Sequence, residues 1–188
     1  MKKKTNIFAI IGSASSNSAN QRLVERIAAL TTEQWDITVF TQLKDLPHFD
    51  PELSLHHPPD PVIAFRKAVE TADAILVCTP EYVFSIPGGL KNAIEWCVAT
   101  TVFSNKPTGL ITASADGRKG HEELQLLMKT LGCRFSEETT LLISGVKGKI
   151  TESGVISDDK TYQHLIQFMH AFAQLINKGG VNTDFSLA

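Results

Sequence analysis

Apolar residues recur along this chain in two rhythms, and their alternation outlines the elements. Residues 7–11 form a short, nearly unbroken apolar run, the pattern of a parallel strand covered on both faces. Leu23, Ile27 and Leu30 follow at helical spacing, and residues 37–40 read as a second strand. Residues 46–61 are rich in Pro, Asp and His, which predicts a long loop. Asp60-Pro61 predicts a helix start, with a capping carboxylate and proline at the first position. Val62, Phe65, Val69 and Ala72 give that helix its buried face. Residues 74–78 predict a third strand, and Pro87 opens a helix whose Leu90, Ile94 and Cys97 face inward. Residues 109–113 predict a fourth strand, followed by a loop over 114–120 and a helix carrying Leu124, Leu127, Met128 and Leu131. Residues 139–143 make a fifth strand, and Asp158 or Asp159 caps a last helix carrying Leu165, Phe168, Phe172 and Leu175.

Five strands alternating with five helices predict an α/β fold, a doubly wound parallel sheet with helices on both faces. Alternation alone does not fix the strand order. The 188 residues suit a single domain spanning 1–188, with 1–5 and 178–188 as flexible termini and no internal repeat. A tail that contacts a partner is the other reading of the C-terminal segment. The formal charge of -2 gives no electrostatic reason to expect nucleic acid or an acidic membrane surface. No membrane-spanning run occurs, and the apolar run behind Lys2-Lys3-Lys4 is too short for a signal peptide. Cys78, Cys97 and Cys133 lie in apolar patterns without CxxC spacing, which fits reduced thiols in the cytoplasm.

Chemistry gathers where strands give way to helices, the ends at which such sheets bind ligands. After the first strand come Ser13, Ser15, Ser18, Ala19, Asn20 and Gln21, small hydroxyl and amide residues at the start of a helix. Backbone N–H groups there supply donors and positive potential for a phosphate, and short hydroxyls add donors without crowding. The plainer reading is that Ser18 or Asn20 only caps the helix. The spacing matches neither a P-loop nor GxGxxG. After the third strand, Pro80, Glu81, Tyr82 and Val83 lead to Pro87, and two prolines stiffen the turn. After the fourth, Ser114 and Gly117 precede Arg118 and Lys119. No nucleophile elbow appears. His48, His56 and His57 lack the HExxH or Cys pattern of a metal site.

These segments resemble the NAD(P)H-dependent FMN reductase family. The matching pieces are Gly12-Ser13 with Ser18-Ala19-Asn20, then Thr79-Pro80-Glu81-Tyr82 with Ser85-Ile86-Pro87-Gly88 and Leu90-Lys91-Asn92-Ala93, then Ser114 with Gly117. The resemblance implies a flavodoxin-like strand order 2-1-3-4-5, bound FMN and NAD(P)H as electron donor. It implies that Ser13, Ser15, Ser18, Ala19, Asn20 and Gln21 surround the FMN phosphate. Backbone groups of Pro80, Glu81, Tyr82 and Val83 would border the ring, with Ser114 and Gly117 closing its other side. The acceptor would be a small molecule such as a quinone, azo compound, free flavin or oxyanion. A flavodoxin-like electron carrier and a flavin-binding scaffold without turnover are the alternatives.

The chain departs from many family members at three points. Ser15 stands where they have arginine, Val83 where they have asparagine, and His121 interrupts a common double glycine. The first removes a charge-assisted donor from the phosphate loop. Glu81 suits a structural bond to a neighbouring loop or to a partner subunit better than a general acid, and Tyr82 suits a wall better than a proton donor. Arg118 and Lys119 either meet the nucleotide phosphates or are only solvated. Phe84, Trp96 and Phe103 cluster around the helix that the family uses for association, which predicts a homodimer or homotetramer; the other readings are ordinary core residues, Trp96 above all, and for Phe84 a stacking surface for the incoming substrate.

Overall fold

The computed structural model describes residues 3–178. Five strands, β1 (Thr5–Ile11), β2 (Trp35–Phe40), β3 (Ala74–Thr79), β4 (Thr108–Ser114) and β5 (Thr140–Ser144), form one sheet in the order β2-β1-β3-β4-β5. Every pairing is parallel. The helices are α1 (Ala19–Leu30), α2 (Pro51–His56), α3 (Asp60–Thr71), α4 (Gly88–Glu95), α5 (Arg118–Thr130) and α6 (Asp159–Asn177). The strand order is the flavodoxin-like one that the family resemblance implies.

Strand alternation divides the core into two layers. Ile7, Ala9 and Ile11 of β1 pack with Leu23 and Ile27 of α1 and with Leu165, Phe168 and Phe172 of α6. Phe8 and Ile10 of the same strand pack with Val62, Phe65 and Val69 of α3, Leu90 and Ile94 of α4, and Leu124 and Met128 of α5. Being covered on both sides makes β3 wholly buried, so its sequence reads as a continuous apolar run. Asp158 is the N-cap of α6, its carboxylate accepting from Thr161 N at 2.8 Å.

Four expectations need correction. The 46–61 segment is not one long loop, because α2 lies within it. Asp50 caps α2 through Oδ1, which accepts from Glu52 N at 2.9 Å and Leu53 N at 3.0 Å, with Pro51 in the first turn. Asp60 does not cap α3; it is the first helical residue, behind Pro59. Thr5, assigned to a flexible terminus, instead opens β1 and is buried. Lys178 is the C-cap of α6, and the rest of the C-terminal segment lies outside the described residues, as do residues 1 and 2. Trp96 and Phe103 are buried core residues rather than an interface cluster; of the three aromatics only Phe84 is exposed. Trp96 Nε1 donates to Pro47 O at 2.8 Å and Asn92 Oδ1 accepts from Phe49 N at 2.8 Å, so α4 anchors the segment ahead of α2.

Candidate functional site

Three loops leave the C-terminal ends of neighbouring strands. Gly12 N donates to Cys78 O at 2.8 Å, carrying the pairing of β1 with β3 one residue beyond the strand. A Cβ on Gly12 would stand 2.2 Å from Thr79 Oγ1 and 3.0 Å from Leu90 Cδ2, so only glycine lets the first loop lie against β3 and α4.

The first loop leaves many donors open. Ser13 Oγ accepts from Ser15 N at 3.3 Å, and Gln21 Oε1 accepts from Asn17 N at 3.2 Å. The N–H groups of Ala14, Ser16, Ser18 and Ala19 find no acceptor among the described residues. Asn17 takes a positive φ of 52°, and its carbonyl accepts from the Arg22 guanidinium. Ser18 is the N-cap of α1, its Oγ accepting from Gln21 N at 3.2 Å, and the first turn holds no carboxylate. The capping role is therefore real, yet it leaves the backbone donors available to an anion.

Asn20 departs from the expected phosphate contact. It is 3% exposed, its Nδ2 donates to Ala113 O at 3.1 Å, and its Oδ1 accepts from the Cys78 thiol at 3.3 Å. Its side chain ties α1 to β3 and β4 beneath the loop and is directed away from any ligand above it. Burial raises the Cys78 thiol well above its ordinary range, so it stays a protonated donor here.

A cleft of about 510 Å³ runs beside this loop. It is lined by Gly12, Ser13, Ser15, Asn17 and Gln21 from the first loop and the start of α1, and by Thr41, Gln42, Lys44, Asp45, Pro87 and Gly89 from the segments after β2 and before α4. Glu81, Tyr82, Val83, Ser114 and Gly117 do not line it. A hollow of similar size, about 540 Å³, lies between β5 and α6 next to Thr140 and Leu141. That is the amino-terminal end of β5, the wrong end of the sheet for this chemistry.

The second loop is a tight hairpin. Tyr82 N donates to Ser85 O at 2.8 Å, and Ser85 N returns a bond to Tyr82 O at 3.1 Å. Between them Val83 (φ 53°) and Phe84 (φ 59°) both occupy the left-handed region, which a β-branched residue seldom enters. Two carboxylates brace the hairpin. Glu81 Oε2 accepts from Gly120 N in the first turn of α5 at 2.7 Å. Glu123 Oε2 accepts from Ser85 Oγ at 2.6 Å and from Ile86 N at 2.9 Å. Glu81 thus has the structural role, bonding the neighbouring loop. The hairpin holds Tyr82, Val83 and Phe84 out at 43%, 93% and 73% exposure, an apolar tip beside a polar site.

The third loop meets the second directly. Ser114 Oγ donates to Glu81 O at 3.4 Å. Gly117 has φ +90°, and a Cβ there would stand 2.9 Å from Leu142 Cδ1, so glycine is required both for the turn into α5 and for space. His121 places Nδ1 2.9 Å from Thr112 Oγ1, and burial pushes its pKa down, with Glu122 opposing. Arg118 bonds Asp116 at 2.8 Å and Lys119 bonds Glu122 at 2.7 Å, so both cations already have carboxylate partners at the surface.

Sequence reasoning missed Glu123. A helix carboxylate reads as solvated, and its partners lie 37 and 38 residues earlier. Arg22, bonded behind the first loop, was missed as well.

The arrangement is that of a flavodoxin-like α/β protein with an anion-accepting loop after β1 and a braced backbone turn after β3. The chain belongs to the NADPH-dependent FMN reductase family, whose model matches residues 5–137. It is an oxidoreductase of that family, with FMN as cofactor and a reduced nicotinamide nucleotide as donor. It is similar to a quinone reductase of Escherichia coli K12, 24% identical over 95% of this chain and 98% of the relative. An NAD(P)H-dependent FMN reductase of Pseudomonas aeruginosa is 29% identical over 88% of this chain and 91% of the relative. Among solved structures, the flavoenzyme NAD(P)H:(acceptor) oxidoreductase FerB of Paracoccus denitrificans superposes with a TM-score of 0.74 at 24% identity. That match covers 94% of this chain and all of the other. No helix among the described residues is long and apolar enough to cross a membrane.

Proposed function

We propose that the protein holds FMN across the carboxyl ends of β1, β3 and β4 and reduces a quinone-type acceptor at the open ring face. The observation that carries this reading is the juxtaposition of two unlike loops, one rich in unbonded N–H groups and one a fixed backbone turn with an apolar tip. The residues present fit the cofactor. The orphan donors around Ser13, Ser15, Ser18 and Ala19 suit the phosphate, and the backbone of Pro80, Glu81, Tyr82 and Val83 suits the polar edge of a flat ring, with Ser114 and Gly117 on its far side. Bound FMN would supply the redox chemistry, hydride acceptance and onward electron transfer, in a pocket held by these residues. The chain's own part is to bind, to orient and to present donors where negative charge develops, which needs no nucleophile or general base.

The quinone assignment is supported by the exposed apolar surface of Tyr82, Val83 and Phe84, which suits a planar, weakly polar acceptor. It is also the substrate class printed in the names of relatives from Escherichia coli, Pseudomonas putida and Solanum tuberosum. The protein acts in the cytoplasm as a single domain and assembles as a homodimer or homotetramer. Anaerobic NAD(P)H is expected to bleach the bound flavin and a quinone to restore it, with parallel double-reciprocal plots because both substrates use one site in turn. Intersecting plots would exclude shared use of the pocket. Bound FMN that neither nucleotide bleaches would leave an electron carrier or a flavin-binding scaffold without turnover.

A further inference from the structure

We propose that Lys44 supplies the cationic contact to the cofactor's phosphate that position 15 lacks. The inference rests on the reading of the cleft as the FMN phosphate site. Ser15 can offer only a neutral hydroxyl, and a phosphate monoester carries a charge of about -1.5 to -2 near neutral pH. Among the residues lining the cleft, Lys44 is the only cation. It lines the same cleft as Ser13, Ser15 and Asn17, from the short 3-10 turn over Leu43–Asp45.

The turn's backbone is fixed while the lysine is free. Leu43 and Leu46 are buried on either side of it. Leu43 Cβ would touch a Cβ built on Gly89 of α4 at 3.6 Å, which seats the turn against that helix. The Lys44 ammonium has no ion pair among the described residues, unlike Lys67, Lys91 and Lys119, each of which bonds a glutamate. A long, unpaired side chain on a fixed backbone can reach across to an anion held by the first loop. Arg22 does not fill this role, because its guanidinium donates to the Asn17 carbonyl behind the loop.

Asp45 lines the same cleft and opposes the phosphate. The pair makes the inference sharply testable, since the two substitutions must act in opposite directions. Flavin fluorescence titration of the apoprotein with FMN and with riboflavin, which lacks the phosphate, gives an affinity ratio that reports the phosphate term alone. Lys44→Ala is expected to lower that ratio roughly tenfold, as for a lost hydrogen bond to a charged group. Lys44→Arg should restore most of it, and Asp45→Asn should raise it. Added salt should shrink the ratio in the unmodified protein more than in Lys44→Ala. An unchanged ratio in Lys44→Ala, with FMN still bound, overturns the role of Lys44 and leaves the cofactor site standing. Failure of the unmodified protein to bind FMN would overturn both.

Discussion

The loops after β1 and β3 stand side by side and are built on opposite plans. The first is held mainly from below, through Asn20 and Arg22, and leaves the N–H groups of Ala14, Ser16, Ser18 and Ala19 without acceptors among the described residues. The second is closed on itself by two backbone bonds and braced by Glu81 and Glu123, so that two non-glycine residues stay at positive φ. An anion brings its own bonds and can complete a loop whose donors are open. A flat aromatic ring brings few, so the protein must fix the backbone edge beforehand. The contrast teaches that preorganisation is concentrated where the ligand contributes least.

Removing a brace tests the second plan with the largest effect. Glu123→Ala deletes an acceptor for two donors, at 2.6 and 2.9 Å, and leaves Ile86 N without its partner. With roughly 1.5–3 kcal/mol for each hydrogen bond to a charged group, less for partial solvent access, a loss of about 3 kcal/mol is expected. Urea denaturation at neutral pH measures it. Glu123→Gln, which keeps one acceptor oxygen, should recover about half. A loss within about 0.5 kcal/mol would mean that the hairpin holds its shape unaided.

The first loop gives a sharper separation, between a residue beneath it and one on its rim. Asn20→Ala strands a buried carbonyl and a thiol and is expected to cost about 1–3 kcal/mol of stability. Since Asn20 faces the sheet, FMN and riboflavin binding should fall together. Ser18→Ala removes a helix cap, worth about 1 kcal/mol, and a hydroxyl at the phosphate loop. It should therefore weaken FMN more than riboflavin. Selective loss of FMN in Asn20→Ala would return that side chain to the phosphate.

The sheet was legible because strands buried on both faces are written as apolar runs, and residues 74–78 could hardly be anything else. Helices α1, α3, α5 and α6 were legible from a buried stripe long enough to repeat. Helix α2 was not, because six residues give too short a period and its one buried residue is Ser54. The local signal was nonetheless present, since Asp50-Pro51 has the capping chemistry that the reading assigned to Asp60-Pro61. The site was legible in outline and not in direction. Asn20 lies among small polar residues that look alike in sequence, and what turns it inward is partners 58 and 93 residues away. Trp96 looked available for an interface for the same reason: its buried state depends on Pro47, 49 residues earlier.

The smallest expected effect tests whether the hairpin's backbone is under strain. A non-glycine residue in the left-handed region costs about 1–2 kcal/mol. Glycine relieves that cost but adds roughly 0.5–1 kcal/mol of conformational entropy to be lost on folding. Val83→Gly should therefore stabilise the protein by no more than about 1 kcal/mol, read as a small rise in the urea midpoint with an unchanged slope. Val83 is 93% exposed, so no buried contact is lost to offset the gain. The same change strips one of the three side chains of the apolar tip, and KM for a quinone should rise while KM for the nicotinamide nucleotide moves less. A lower midpoint would show that Val83 is held by contacts rather than against its backbone preference. The hairpin would then be stable by its own packing, and the contrast with the first loop would rest on Glu81 and Glu123 alone.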